Sequence, residues 1–256
     1  MKVSLIIGTL GEREEEFKRL LQSLVDQSYK ALELIVVAQG NYDTVENLLN
    51  QYKINSKLIK INKRGLSNAR NEGLKYVSGN IVTFSDDDCW YPRDAMESVV
   101  NDFKSNPYEV VCYKIFDPIS QQDYKNYGQT TNKKLSTKEI YYRSSIELFF
   151  NYDVLKTESA FKFDVNFGLG AGVNSGEEII LLNDLHKRNY TIYFKNTTIV
   201  YHRKKATSPK VDISFLKGKK LFLYRLFGKK KGAFIYSIYL IKKFPKLVSL
   251  SNNKSS

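Results

Sequence analysis

Only two cysteines, Cys89 and Cys112, occur in 256 residues. They are too few for a disulfide framework and lack metal-ligand spacing, so a reducing cytoplasm is the expected setting. Long apolar runs are missing too. The densest near the end, residues 233–241, falls well short of the roughly 20 residues a spanning helix needs, and no transmembrane segment is predicted. At the other end, residues 1–8 give way to the charged stretch 12–16 before the apolar core of a secretory signal is complete, so export is not predicted. There is no internal repeat, and low complexity is confined to residues 251–256. Acid is scarce in one region. From Arg203 onward Asp212 alone faces 15 Lys and Arg, whereas the first 202 residues hold 26 Asp and Glu against 25 Lys and Arg. The formal net charge of +13 therefore belongs to the tail. A charge excess held in one segment describes that segment's partner, an anionic surface, and leaves the near-neutral body to be read separately.

A hydrophobic content of 42% over this length suits one large domain with an appendage, or two small ones. Apolar runs at 3–7, 32–38, 57–61 and 81–84 read as strands, and helical periodicity fills 14–27, 44–52 and 67–77 between them. Strands apolar on both faces and separated by helices imply a mainly parallel sheet covered on both sides, with ligands collecting at the carboxyl ends of its strands. Beyond it the spacing predicts a helix over 92–106, a strand over 109–116, an exposed loop over 121–135 and renewed order at 146–155. A helix follows over 177–188 with Ile179, Leu182 and Leu185 on its buried stripe, then a final strand over 191–194, and residues 198–201 lead to His202.

Asp86, Asp87 and Asp88 close the fourth apolar run and are followed by Cys89, Trp90 and Tyr91. Like charges packed this tightly repel, and a divalent cation between them relieves the repulsion while leaving positions open to phosphate oxygens. Core packing is the expected use of Trp90 and Tyr91. Downstream, Ser175 followed three residues later by Glu178 has the spacing of a capping box, with Glu177 and Glu178 in a first helical turn.

Four segments in order, residues 4–9, 33–40, 65–73 with the triplet after it, and Gly176-Glu177-Glu178, resemble the family 2 glycosyltransferases over about residues 3–202. That resemblance implies the GT-A fold: a Rossmann-like, mainly parallel α/β sheet flanked by helices, here with a basic helical extension. It implies a nucleotide-diphospho-sugar donor, usually a UDP-sugar. Residues 1–115 would form the donor-binding half, 116–205 the half that binds acceptor and supplies the base, and 206–256 an amphipathic tail. Thr9 and Glu12 would line the base pocket. Gln39 stands where the family has an aspartate, and its side-chain carbonyl can accept from a ring N–H. Arg70 would lie near the phosphates or the aspartates. Asp86 would meet the ribose, Asp87 the donor sugar or groups just outside the metal, and Asp88 a Mg²⁺ or Mn²⁺ ion. His202 would reach the metal or the diphosphate. Glu178, or its neighbour Glu177, would be the base that deprotonates the acceptor hydroxyl in a single displacement with inversion.

Cationic and bulky apolar residues share helical segments beyond His202, which suits the plane of an anionic membrane surface; no nucleic-acid module is recognisable, so no nucleic-acid partner is expected. The resulting expectation is an enzyme peripheral to the inner face of the cell membrane, extending a surface polysaccharide on a glycan or lipid-linked acceptor. A non-catalytic basic protein binding membrane or nucleic acid on the same scaffold is the competing reading. A metal-dependent nucleotidyltransferase is the other, disfavoured because no glycine-rich phosphate loop follows the first strand.

Overall fold

The computed structural model describes residues 1–128, 131–204 and 212–252. Its first half is the predicted alternation of strand and helix. β1 (Val3–Thr9), α1 (Glu14–Val25), β2 (Leu32–Ala38), α2 (Tyr42–Gln51), β3 (Ser56–Lys60), α3 (Leu66–Leu74) and β4 (Ile81–Asp86) follow in that order. Every residue of β2 is buried, because α1 and α2 cover one face of the sheet and α3 the other. Phe17, Leu20, Leu21 and Leu24 recur at helical spacing on α1 and all face the core. α4 (Ala95–Ser105) adds Met96, Val99, Val100 and Phe103 to the same layer.

The second half completes one continuous sheet. β5 (Val110–Asp117) is followed by β6 (Gln122–Asp123), β7 (Lys133–Lys134), α5 (Thr137–Ile140), β8 (Leu148–Asn151), α6 (Tyr152–Leu155), α7 (Glu177–Lys187) and β9 (Ile192–Tyr201). The strand order is β3-β2-β1-β4-β8-β5-β9-β7, with β6 paired to β5. Parallel ladders join the first four strands, and β5 to β9. β8 is antiparallel to both its neighbours, so it is a single reversed strand between two parallel blocks that run the same way.

Three local readings differ from the sequence pattern. Residues 121–135 do not form a simple exposed loop: they hold β6 and β7, and Tyr127 and Leu135 are buried. The Tyr127 hydroxyl donates to Glu147 Oε2 at 2.9 Å and accepts from the Ile115 N–H at 2.9 Å. The strand expected over 191–194 runs on to Tyr201 as β9, in which residues 195–197 lie opposite a register shift in β5. The Ser175–Glu178 capping box is not formed. Gly176 is the N-cap of α7, at φ +93°, without a side-chain cap, and Ile180, Leu181, Leu182 and Leu185 are buried while Ile179 is only partly so.

The tail is helical, as expected: α8 (Ile213–Phe227) and α9 (Lys229–Asn252) form a hairpin turned at Gly228, whose N–H bonds the Tyr224 carbonyl at 2.9 Å. Part of its apolar surface packs back on the body. Leu226, with Phe222 and Phe227 beside it, joins Phe167, Val173 and Ile180 in a third apolar cluster. Arg225, expected to face an anionic surface, instead forks onto Asp184 at 2.6 and 3.2 Å and reaches Asp164 at 2.8 Å. No helix among the described residues is long and apolar enough to cross a membrane.

Candidate active site

Because β1, β2 and β4 run parallel in register, with Thr9 opposite Ala38 and Gly8 opposite Asp86, their carboxyl ends form a row. A cleft of ≈ 260 Å³ opens along it, lined by Thr9, Glu12, Arg13, Gln39, Asp86, Asp87, Asp88 and His202, among others. The base-pocket, triplet and histidine positions read from the sequence are thus brought together. Arg70, Glu177 and Glu178 are not in this lining.

Gln39 is buried, and its side-chain carbonyl Oε1 has no hydrogen-bond partner among the described residues. A buried acceptor left unpaired is costly, on the order of 1–3 kcal/mol. The residue itself lines the cleft, so a small rotation of the side chain would bring this oxygen to a ligand N–H. Thr9, across the β1–β2 ladder, donates from Oγ1 to Asp87 at 2.7 Å and accepts from the Gly11 N–H at 2.9 Å.

The three carboxylates have different partners. Asp86 accepts from Arg70 at 3.1 Å. Asp87 is pushed above the ordinary aspartate range by burial, against the Thr9 hydrogen bond and the charge of Arg13. Asp88 meets Arg13 at 2.5 Å and His202 Nε2 at 3.1 Å. Burial pulls the His202 pKa down, but the hydrogen bond and charge of Asp88 outweigh it and hold the imidazole above its ordinary value. Its Nδ1 lies 2.7 Å from the Arg203 carbonyl. A proton on Nδ1 leaves Nε2 directed at Asp88 and the cleft, the arrangement that orients a metal-ligating histidine.

Asp88, Cys89 and His202 bring their potential ligand atoms within 4.8 Å of one another. The Cys89 thiol is wholly buried and its pKa raised well above normal by that burial, so it is a poor thiolate ligand. The oxygen of Asp88 and the nitrogen of His202, both in the cleft wall, fit a hard divalent cation better. Sequence reasoning missed Arg13, which neutralises Asp87 and Asp88, and Arg19, which stacks over Trp90 at 3.7 Å and donates to the Asp88 carbonyl at 2.9 Å. The available signal was Arg13 as the lone cation within the acidic stretch 12–16. Tyr91 is core, as expected, whereas Trp90 is only partly buried under Arg19.

Arg70 is neither a surface arginine nor a cleft wall. It is 1% exposed, lies 5.2 Å from the centroid of the Phe163 ring, and donates to Asp86, to Glu177 at 2.9 Å and to Ser145 at 2.8 Å. One guanidinium therefore ties the end of β4 to the start of α7. Glu177 is committed to that bridge. Glu178 lines a separate, larger cleft of ≈ 480 Å³ between the start of α7 and α8. Burial, followed by the adjacent negative charge of Glu177, holds its carboxyl far above the ordinary range. Between the two clefts runs a glycine-rich wall: Leu169 and Gly170 face the first, Gly172 the second.

A parallel strand-end cleft, an aspartate triplet at β4 and a carboxylate pair opening a helix across a mixed sheet define the GT-A class of α/β fold. The sequence profile of "Glycosyl transferase family 2" matches residues 4–176, and the chain belongs to that family. It is 32% identical over 111 residues to a glucosyl-dolichyl phosphate glucuronosyltransferase of Haloferax volcanii, covering 42% of this chain and 36% of that one. It is 35% identical over 101 residues to the glycosyltransferase GlyA of Streptococcus pneumoniae, covering 38% of this chain and 14% of that one. The match thus spans well under half the length of either relative. Among solved structures, residues 1–349 of S. aureus TarS in complex with UDP superpose with a TM-score of 0.71 at 19% identity, over 96% of this chain and 72% of that one. The complex of the same protein with UDP-GlcNAc gives 0.71 at 18% identity, over 96% and 73%.

Proposed function

We propose that this chain transfers one sugar from a nucleotide-diphospho-sugar, a UDP-sugar in the first instance, to a hydroxyl of a glycan or lipid-linked acceptor, with inversion. The observation that carries the reading is the unpaired Gln39 carbonyl in the same cleft as the aspartate triplet. One end of the cleft offers an acceptor for a base N–H, the other a set of carboxylates suited to a cation-bound diphosphate. The TarS complexes with UDP and UDP-GlcNAc, on the same fold, support the donor class.

In this reading Thr9, Glu12 and Gln39 hold the base, Asp86 the ribose and Asp87 the neighbourhood of the donor sugar. Asp88 and His202 would hold Mg²⁺ or Mn²⁺, which when bound neutralises charge developing on the diphosphate leaving group. Arg70 acts from behind, fixing Asp86 and Glu177 with one rigid fork. Glu178 is the base. Glu177 is spoken for by Arg70, and a carboxylate whose pKa is raised toward neutrality is the better proton acceptor at working pH. Attack from the second cleft on a donor in the first requires the wall around Leu169–Gly172 to shift. That wall is tied by the Leu66 N–H on the Leu169 carbonyl at 2.9 Å and by the Gly168 N–H on the Val173 carbonyl at 2.8 Å, bonds that such a shift must release. Residues 1–115 then serve as the donor half and 116–205 as the acceptor half. The basic hairpin beyond them attaches the enzyme to an anionic membrane face, and the product is a surface polysaccharide.

Calorimetric titration with UDP and release of UDP from a panel of UDP-sugars in Mn²⁺ test this directly. Wild type is expected to bind UDP. Gln39→Leu should weaken binding about tenfold, since one buried hydrogen bond of about 1–1.5 kcal/mol is lost. Asp88→Ala should abolish metal-dependent release. A wild-type protein that binds no UDP, or an Asp88→Ala protein with full turnover, overturns the reading.

A further inference from the structure

The second cleft holds a feature that donor binding does not use. Its far wall is α8, which contributes Asp212, Phe215, Lys219 and Phe222 opposite Gly176 and Glu178. The Lys219 ammonium is partly buried, 5.0 Å from the Phe222 ring centroid and 5.7 Å from that of Tyr239. Among the described residues it has no carboxylate within ion-pair distance, and burial alone lowers its pKa. Other cations of α8 are differently placed: Arg225 is spent on Asp164 and Asp184, and Lys217 and Lys220 are exposed. Asp212 shares the cleft, but its carboxylate caps α8, accepting from the Phe215 N–H at 2.7 Å.

A partly desolvated cation held over aromatic faces lacks the anion that would best stabilise it. The α8 wall is rigidly set. Gly176 has φ +93°, and a Cβ there would lie 2.5 Å from the Phe222 ring, so α8 closes directly over the start of α7. We propose that this cleft is the acceptor site and that Lys219 selects an acceptor carrying an anionic group, a phosphate or a carboxylate, held apart from the hydroxyl presented to Glu178. The inference rests on the transferase reading and adds the charge class of its acceptor. Lys219 is a specificity residue: it touches the acceptor's anion and takes no part in proton transfer.

The test is calorimetric titration of the full chain, saturated with UDP and Mg²⁺, with glucose, glucose 6-phosphate and glucuronic acid as probes. Wild type should bind at least one acidic probe tenfold or more tightly than glucose. Tighter binding of the phosphate points to the phosphate of a lipid-linked acceptor, tighter binding of the uronate to an acidic sugar within a glycan. Lys219→Gln should lose the preference, Lys219→Arg should keep it, and Lys53→Gln, at an exposed lysine outside both cleft linings, should change nothing. Equal affinity for neutral and acidic probes, or a preference that survives Lys219→Gln, overturns the inference. UDP affinity, measured first, separates the two failures. Its absence in wild type removes the transferase reading and this one together, whereas intact UDP binding without acidic preference removes this one alone.

Discussion

Adjacent glutamates at the start of α7 have opposite fates because of what each one faces. Glu177 meets a fully buried guanidinium at 2.9 Å, a charge-assisted bond that holds its carboxylate in place. Glu178 has burial and the Glu177 charge against ionisation. A carboxyl whose pKa is raised on folding binds its proton more tightly in the folded chain than in the unfolded one. Stability therefore falls as pH rises from the ordinary carboxylate range through the raised value, and it is unaffected below both. Glu178→Gln removes this liability. The variant should melt higher than wild type at pH 8, and the difference should vanish near pH 4, as differential scanning calorimetry at the two pH values will read. The same substitution should leave UDP affinity unchanged and cut transfer by 10²-fold or more. Wild-type turnover should rise with pH as Glu178 ionises. Equal melting temperatures at pH 8 would mean that the carboxyl is solvated, and unchanged transfer would remove it as the base.

Elements were most legible where one force acted on them. β2 begins at Leu32 and ends at Ala38, as the apolar run does, because both its faces are covered. β9 runs past the expected 191–194 because Asn196 and Thr197 are exposed beside a register shift, where polarity reports the bulge and not a break. The strand-end cleft was legible for a similar reason: Thr9, Gln39 and Asp86 each end an apolar run, and parallel register aligns ends. Arg70 was not, since a mid-helix arginine gives no sign that Asp86, Ser145 and Glu177 converge on it from 16, 75 and 107 residues away. Nor was the orientation of Glu178, which depends on α7 starting at Gly176. The docking of α8 was hidden too. Its anchor, Arg225, reads as one more basic tail residue but forks onto Asp184 and Asp164. Arg225→Ala should cost about 1 kcal/mol, the scale of a well-formed partly exposed network. The expected result is amide exchange about fivefold faster along α8, with exchange in β1 and β4 unchanged. Equal acceleration across the sheet would show that the hairpin is part of the cooperative core.

For the molecule as a whole, the hairpin carries two sets of residues, one packed on the body and one exposed. Leu226 turns toward the body, packing with Phe167, Val173 and Ile180. Phe234, Ile238 and Ile241 on α9, at i, i+4 and i+7, stay exposed, as do Ile213 and Leu221 on α8. One helix face holds residues at that spacing. Exposed Lys217, Lys220, Lys229, Lys230, Lys231 and Lys242 accompany them, while the body beneath is near neutral in sequence. An apolar stripe bordered by lysines matches the boundary between headgroups and acyl chains. Each lysine near an anionic leaflet contributes about 1 kcal/mol, screened over a Debye length of about 10 Å at 0.1 M salt. Burying a phenylalanine or isoleucine side chain contributes about 1.5–3 kcal/mol when complete. Phe234→Glu with Ile238→Glu removes apolar contact and adds repulsion, so partitioning onto vesicles containing one-third phosphatidylglycerol should fall at least tenfold in a flotation assay. UDP affinity should not change, since neither residue is near the donor cleft lining. Raising salt should weaken wild-type binding, and purely zwitterionic vesicles should bind poorly. If the double variant floats with the vesicles as wild type does, the exposed stripe is not the contact, and the tail's charge must be met by a partner other than lipid.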